Sequence, residues 1–178
     1  MRTLFCIVGR TASGKDTLTN IIAKENNMKV LLSYTTRPKR SENEDTHVFV
    51  TDAEYNADRD NNSIVAFTEI NNYKYWSTIQ QVLESDLYII DPRGLKELKS
   101  KNLDLKIVSI YIDVDEYSRR QRFLMRQPDA TQLFYDRNTS ETLQFIEFEA
   151  QQLYDYKIEN YRFEDALKEL TEIINKEK

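Results

Sequence analysis

One cysteine, Cys6, stands in the whole chain, so no internal disulfide can form. It lies in the apolar run from Leu4 to Val8, where a buried inert thiol is expected rather than a nucleophile, and a reducing cytoplasmic compartment suits it. No apolar run approaches the roughly 18 residues needed to cross a bilayer, and the short apolar start carries neither a charged leader nor a small-residue cleavage site. Export and membrane anchoring are therefore not expected. Positive charge is not in excess either: a net charge of -5 argues against duplex nucleic acid as the main partner, because such proteins need a basic surface to displace counterions. Internal repeats are missing, and the polar run Asp58 to Asn62 is too short for a domain linker. Glycine is scarce, with three residues in the chain, so the placement of each is informative.

What is present points to one folded domain. The composition, 40% hydrophobic and 31% charged, lacks the signature of disorder, and 178 residues can bury a real core. Short apolar runs alternate with helical patterns: Leu4–Val8, a helix with Leu18, Ile21 and Ile22 on one face, then Val30–Leu32. The rhythm resumes with Leu87–Ile90, a helix around Leu95 and Leu98, the run Ile107–Ile112 and a long helical tract from near Asp115. It closes with Tyr156–Ile158 and a helix carrying Leu170 and Ile174. This predicts an α/β fold, a parallel five-stranded sheet flanked by helices. Two segments interrupt it, Ser33–Thr78 and the arginine-dense stretch Arg119–Arg137, and both look like flaps over a site. The expected division is a core of residues 1–32, 79–114 and 150–178, an insert of 33–78 and a lid region of 115–149.

After the first strand runs Gly9-Arg10-Thr11-Ala12-Ser13-Gly14-Lys15-Asp16-Thr17, the G-x-x-x-x-G-K pattern of a P-loop (Walker A), with a helix opening beyond Lys15. Glycines let the backbone wrap a phosphate with its N–H groups pointing inward, and the helix N-terminus adds partial positive charge. Lys15 supplies the full charge, and two of the three glycines fall at the required spacing. Asp16 stands where Ser or Thr usually offers a hydroxyl to Mg2+. A carboxylate can ligate that ion directly or through water, with Thr17 as a second oxygen, or can serve as a solvated helix cap.

Ser33-Tyr34-Thr35-Thr36-Arg37-Pro38-Lys39-Arg40 follows the second strand, and S-x-T-T-R-x-x-R at this distance from a P-loop resembles the monophosphate-binding segment of guanylate kinases. That resemblance implies a P-loop kinase fold with an inserted NMP-binding flap and an arginine lid. It implies Arg37 and Arg40 as the grip on the acceptor phosphate, which guanidinium forks suit. His47 stands where the family has a phosphate-binding tyrosine. Glu69, Tyr75 and Ser77 take the places of the glutamate that reads guanine and of the tyrosine and hydroxyl beside the phosphate, with Trp76 replacing a glycine. Asp91 retains one acid of the family's D-x-D-x-x-G, while Ile89 stands at the other. Asn160 corresponds to an asparagine near the donor nucleotide, and Ser33 belongs to the acceptor segment.

Arg122, Arg126 and Arg137 keep the spacing of the family's three lid arginines, which stabilise charge on the transferring phosphoryl group as a lid closes. The function implied is transfer of the γ-phosphoryl group of Mg-ATP to GMP or dGMP. Two alternatives stay open: the same chemistry on another (deoxy)nucleoside monophosphate, or a non-catalytic binding module like the guanylate-kinase-like domains of scaffold proteins. The partners expected are small nucleotides, with neither nucleic acid nor membrane among them.

Overall fold

The structure, a computed structural model, describes residues 2–70 and 72–178. The chain opens with β1 (Thr3–Val8), α1 (Lys15–Asn26) and β2 (Val30–Leu31), then β3 (Tyr34–Thr35), β4 (Val48–Phe49) and α2 (Asp52–Asp60). A hairpin of β5 (Ile64–Ile70) and β6 (Tyr73–Thr78) leads through α3 (Ile79–Glu84) to β7 (Leu87–Ile89). After these come α4 (Pro92–Ser100), β8 (Lys106–Asp113), α5 (Glu116–Arg126), α6 (Thr131–Ala150), β9 (Tyr156–Glu159) and α7 (Phe163–Glu177).

The five expected core strands pair in the order β2-β7-β1-β8-β9, every pair parallel. Alternation along β1 explains why both faces are covered. Leu4, Cys6 and Val8 enter one cluster with Leu95 and Leu98 of α4 and Phe148 of α6, while Phe5 and Ile7 enter another with Leu18 and Ile22 of α1 and Leu170 of α7. Each such fully buried side chain contributes about 1.5–3 kcal/mol. Burial pushes the Cys6 thiol up to about 12, so it is an inert core residue as expected. No helix among the described residues is long and apolar enough to cross a membrane.

The segment that breaks the rhythm forms a second sheet in the order β4-β3-β6-β5, with α2 against one face. Trp76, 1% exposed, belongs to that face: its indole N–H donates to Asp58 of α2 at 2.9 Å and its ring meets Tyr55 edge-on at 5.0 Å. Its bulk therefore fills the layer between sheet and helix. The β5–β6 pairing carries a bulge. Val65 faces Ser77, but the next partners are Thr68 with Tyr75 and Glu69 with Lys74, and Ala66 takes a left-handed φ of 54°. The bulge presses on α4, where a Cβ on Gly94 would fall 3.1 Å from the Ala66 methyl and 2.9 Å from an Ile90 side-chain carbon. The arginine-dense stretch is helical, spanning α5, a short connection and the start of α6, with the Asp115 carboxylate capping α5 through the Ser118 amide at 2.9 Å.

Candidate active site

The loop between β1 and α1 lies at the C-terminal edge of the central strand. Gly14 takes φ 87°, and a Cβ there would fall 2.4 Å from the Asn160 amide nitrogen. As the residue preceding α1 it has no side chain with which to cap the helix, and no other side chain among the described residues caps it. Gly9 is equally confined, since a Cβ would meet the Ser13 hydroxyl oxygen at 2.5 Å and the Ile112 carbonyl at 3.0 Å. Lys15 opens α1 with its ammonium 3.5 Å from Asp16, whose carboxylate and neighbour Thr17 are exposed.

Neighbouring elements fasten this loop from outside. The Asn160 side-chain amide donates to the Ser13 carbonyl at 2.8 Å, and Arg122 donates to the carbonyls of Asn160 at 2.6 Å and Ser13 at 3.4 Å. Asn160 thus acts on the loop as a brace from the end of β9. Arg10 turns away from the loop, paired with Glu149 at 3.1 Å and lying over the Phe145 ring at 4.6 Å. Thr11 gives its amide to the Glu141 carboxylate at 2.9 Å and its hydroxyl at 2.5 Å. Glu141 and Glu149 are residues that sequence reasoning missed. They lie eight apart and so share a face of α6, but only packing shows that this face meets the loop.

The acceptor side is built on β3, β4 and β6. Arg37 is 8% exposed; it pairs with Glu44 at 2.6 Å, lies over the Phe49 ring at 5.3 Å, and keeps a buried Nε without a partner. Glu44, also missed, takes the Arg40 amide at 2.6 Å, and these donors, Arg37 first, push its carboxyl down to about 2. The His47 ring meets Tyr75 edge-on at 5.6 Å. Burial, then Arg37 and Arg40, hold its pKa below the ordinary value, while Glu44 and, less strongly, Asp16 on α1 pull the other way. Ser33 and Ser77 share a hydrogen bond of 3.1 Å, and Ser77 another of 2.7 Å with the phenol of Tyr88, a third residue missed in the sequence. Asp91 caps α4 at the C-terminal end of β7, one oxygen accepting the Gly94 amide at 2.6 Å.

Glu69 is the expectation the structure corrects. Strand alternation from Val65 would have carried it onto the Ser77 face. The bulge inserts one residue, so Glu69 pairs with Lys74, which reaches α2 through Asp52 at 2.5 Å. Its carboxylate is exposed on the face opposite Tyr75 and Ser77, and Thr68 stands on their side instead.

On the lid helices, Arg137 is half-buried over the Phe123 ring at 5.5 Å, its pKa lowered by burial and by the positive fields of Arg40 and Arg126. Arg126 is exposed, its Nε 3.4 Å from the Arg122 carbonyl. The charges of Arg40 and Arg126 reach Arg137, and that of Asp16 reaches His47.

A loop with a left-handed glycine on the central strand of a parallel sheet, with arginines on the insert and on α5 and α6, defines an α/β fold of the kind that places a ligand at the C-terminal edge of its strands. A family model described as guanylate kinase matches residues 1–177. The guanylate kinase of Bartonella henselae is 30% identical over 118 residues, which span 61% of this chain and 52% of that one, about half of that relative's length. That of Thermotoga maritima is 27% identical over 188 aligned positions, covering 98% and 87%. A crystal structure of guanylate kinase from Anaplasma phagocytophilum shares the fold with a TM-score of 0.67 at 19% identity, covering 99% of this chain and 86% of that one. The chain belongs to the guanylate kinase family.

Proposed function

We propose that this chain moves the γ-phosphoryl group of ATP onto GMP or dGMP in the cytoplasm. The observation that carries this reading is the loop from Gly9 to Gly14 at the C-terminal edge of β1, its Gly14 held at φ 87° and Lys15 opening α1, in a chain that the guanylate kinase family model matches over residues 1–177. The donor phosphates lie against the Gly9–Gly14 loop and Lys15, and the acceptor phosphate against Arg37, Arg40, His47 and Tyr75, where the unpartnered Nε of Arg37 has a bond to give.

An oxygen of the acceptor phosphate attacks the γ-phosphorus in line, the bond to the bridging oxygen breaks and ADP leaves. The nucleophile is already anionic, so no general base is needed and His47 is a phosphate donor rather than a catalyst of proton transfer. Arg126 and Arg137 stabilise the charge on the migrating group, and Arg122 ties the lid to the loop it covers. Residues 33–78 and 115–149 close over the core and exclude water that would otherwise take the phosphoryl group.

Mg2+ fits the residues present. Asp16 offers one exposed carboxylate beside Lys15, and no cluster of three acidic, cysteine or histidine residues able to cage a metal occurs among the described residues. That donor set suits an ion held mainly by phosphates and water, with Asp16 and Thr17 contacting it or its waters. When bound, the ion neutralises oxygens of the donor polyphosphate.

Initial rates of ADP release with Mg-ATP and a panel of ribo- and deoxynucleoside monophosphates test the reading, with GMP and dGMP expected to turn over. Lack of turnover together with lack of ATP binding by calorimetry would return the chain to the binding-module alternative.

A further inference from the structure

Side chains of α5 and α6 take the amide, the hydroxyl and the carbonyl of Thr11. The amide and hydroxyl both donate to the Glu141 carboxylate, at 2.9 Å and 2.5 Å, and the carbonyl accepts from Arg119 at 3.3 Å. Both partners are themselves held. Arg119 is 3% exposed and donates to the Val114 carbonyl at 3.1 Å and to the Asn138 side-chain oxygen at 2.8 Å. Glu141 is half-buried and shares a face of α6 with Phe145, Phe148 and Glu149, at helical spacing. Phe145 and Phe148 belong to the core cluster and Glu149 pairs with Arg10, so this face of α6 is seated on the sheet and grips two successive loop residues.

This clamp adjoins a turn that its own sequence resists. The Ser13 amide donates to the Arg10 carbonyl at 3.1 Å, closing a four-residue turn with Thr11 and Ala12 at its centre. Ala12 takes a left-handed φ of 63°. A left-handed residue at the third position of a turn is ordinarily glycine, because an L side chain there crowds the following carbonyl. Such a backbone persists where its surroundings hold it, and Glu141 and Arg119 hold the residue directly before Ala12. The carboxylate does not reach the far end of the loop, where no side chain among the described residues caps α1.

We infer that Glu141 is a positioning residue for the donor nucleotide, keeping the Arg10–Ser13 turn in its binding shape before ATP arrives. The inference rests on the donor half of the reading above, which seats the ATP phosphates on this loop. A relaxed loop has to be re-formed by the nucleotide, which lowers apparent affinity by the fraction of molecules that hold the competent shape. A carboxylate that merely competed for the Thr11 amide would act in the opposite sense, so its removal would tighten ATP.

The test is Kd for Mg-ATP by calorimetry, with KM for ATP and GMP by ADP release and the melting temperature, in the unaltered enzyme, Glu141→Ala, Ala12→Gly and the double variant. Glu141→Ala should raise Kd and KM for ATP about tenfold, as loss of hydrogen bonds to a charged group does, with KM for GMP within about twofold. Glycine adopts a positive φ freely, so Ala12→Gly added to Glu141→Ala should bring both values back by about fivefold. A role confined to anchoring α6 would move both KM values together and gain nothing from Ala12→Gly. Glu141→Gln keeps one acceptor for the Thr11 amide without the charge; it should raise Kd about threefold, and it supplies the comparison should Glu141→Ala fail to fold. An ATP affinity that is unchanged or tightened, or a loss that Ala12→Gly does not reduce, overturns the inference while leaving the kinase reading intact. ATP binding that weakens and recovers as stated, without turnover of any monophosphate, overturns the kinase reading and leaves the inference standing. Absence of ATP binding by the unaltered protein overturns both.

Discussion

The guanidinium of Arg37 meets the carboxylate of Glu44 at 2.6 Å in a pocket that leaves the two side chains 8% and 11% exposed. Glu44 also receives the Arg40 amide, so one acid holds the side chain of Arg37 and the backbone at Arg40, the two arginines expected to hold the acceptor phosphate. Its folded pKa, about 2, lies below the ordinary 4.5, so its contribution to stability is whole above pH 4.5 and fades as pH falls toward 2. Glu44→Gln should lower the melting temperature at neutral pH, with the gap to the unaltered protein closing across that acidic window. It should also raise KM for the acceptor more than KM for ATP. A gap that does not depend on pH would show that the pairing does not stabilise the loop.

His47 is the single histidine of the chain, so its imidazole gives one resolved titration by NMR. Burial and the fields of Arg37 and Arg40 place its pKa below 6.5 in the free protein. An unfolded histidine takes up its proton before the folded one does, so stability falls as pH drops below 6.5, and His47→Gln should flatten that part of the profile. Adding a nucleoside monophosphate brings a dianion beside the ring and should move the titration upward. An unmoved titration would place the phosphate elsewhere.

Lys15→Ala removes the full positive charge from the donor loop. Turnover in the ADP-release assay should fall by roughly 10² or more, with the melting temperature little changed because the ammonium's ion pair among the described residues is a 3.5 Å contact with exposed Asp16. Unchanged turnover would show that the donor phosphates bind at another edge of the sheet.

Glu69→Ala offers the opposite expectation. Because its carboxylate stands on the α2 side of the β5–β6 hairpin, KM for GMP should stay within about twofold, as surface changes away from a site usually do. A loss of tenfold or more in kcat/KM for GMP would mean that the hairpin re-registers when the acceptor binds.

The donor loop was legible because its residues are contiguous. Gly9 and Gly14 stand where the structure leaves no room for a side chain, and Lys15 follows them directly. The five core strands were legible for a related reason, since apolar runs of strand length between helical patterns leave few ways to cover a parallel sheet. Trp76 was legible as a departure from glycine but not as a filler of the α2 layer, because strand alternation places a side chain only once the partner helix is known.

The order of residues alone determined the local pattern: a G-x-x-x-x-G-K loop after the first strand, a basic segment after the second, and arginines at helical spacing. Which groups face the cleft was decided by tertiary structure. One extra residue between Val65 and Thr68 reverses the face of everything beyond it, turning Glu69 outward. Packing of β7 against the insert likewise brings the Tyr88 phenol to Ser77 across eleven residues of sequence. A bulge and a cross-sheet contact are long-range choices made by the whole core, and no count of residues along the chain contains them.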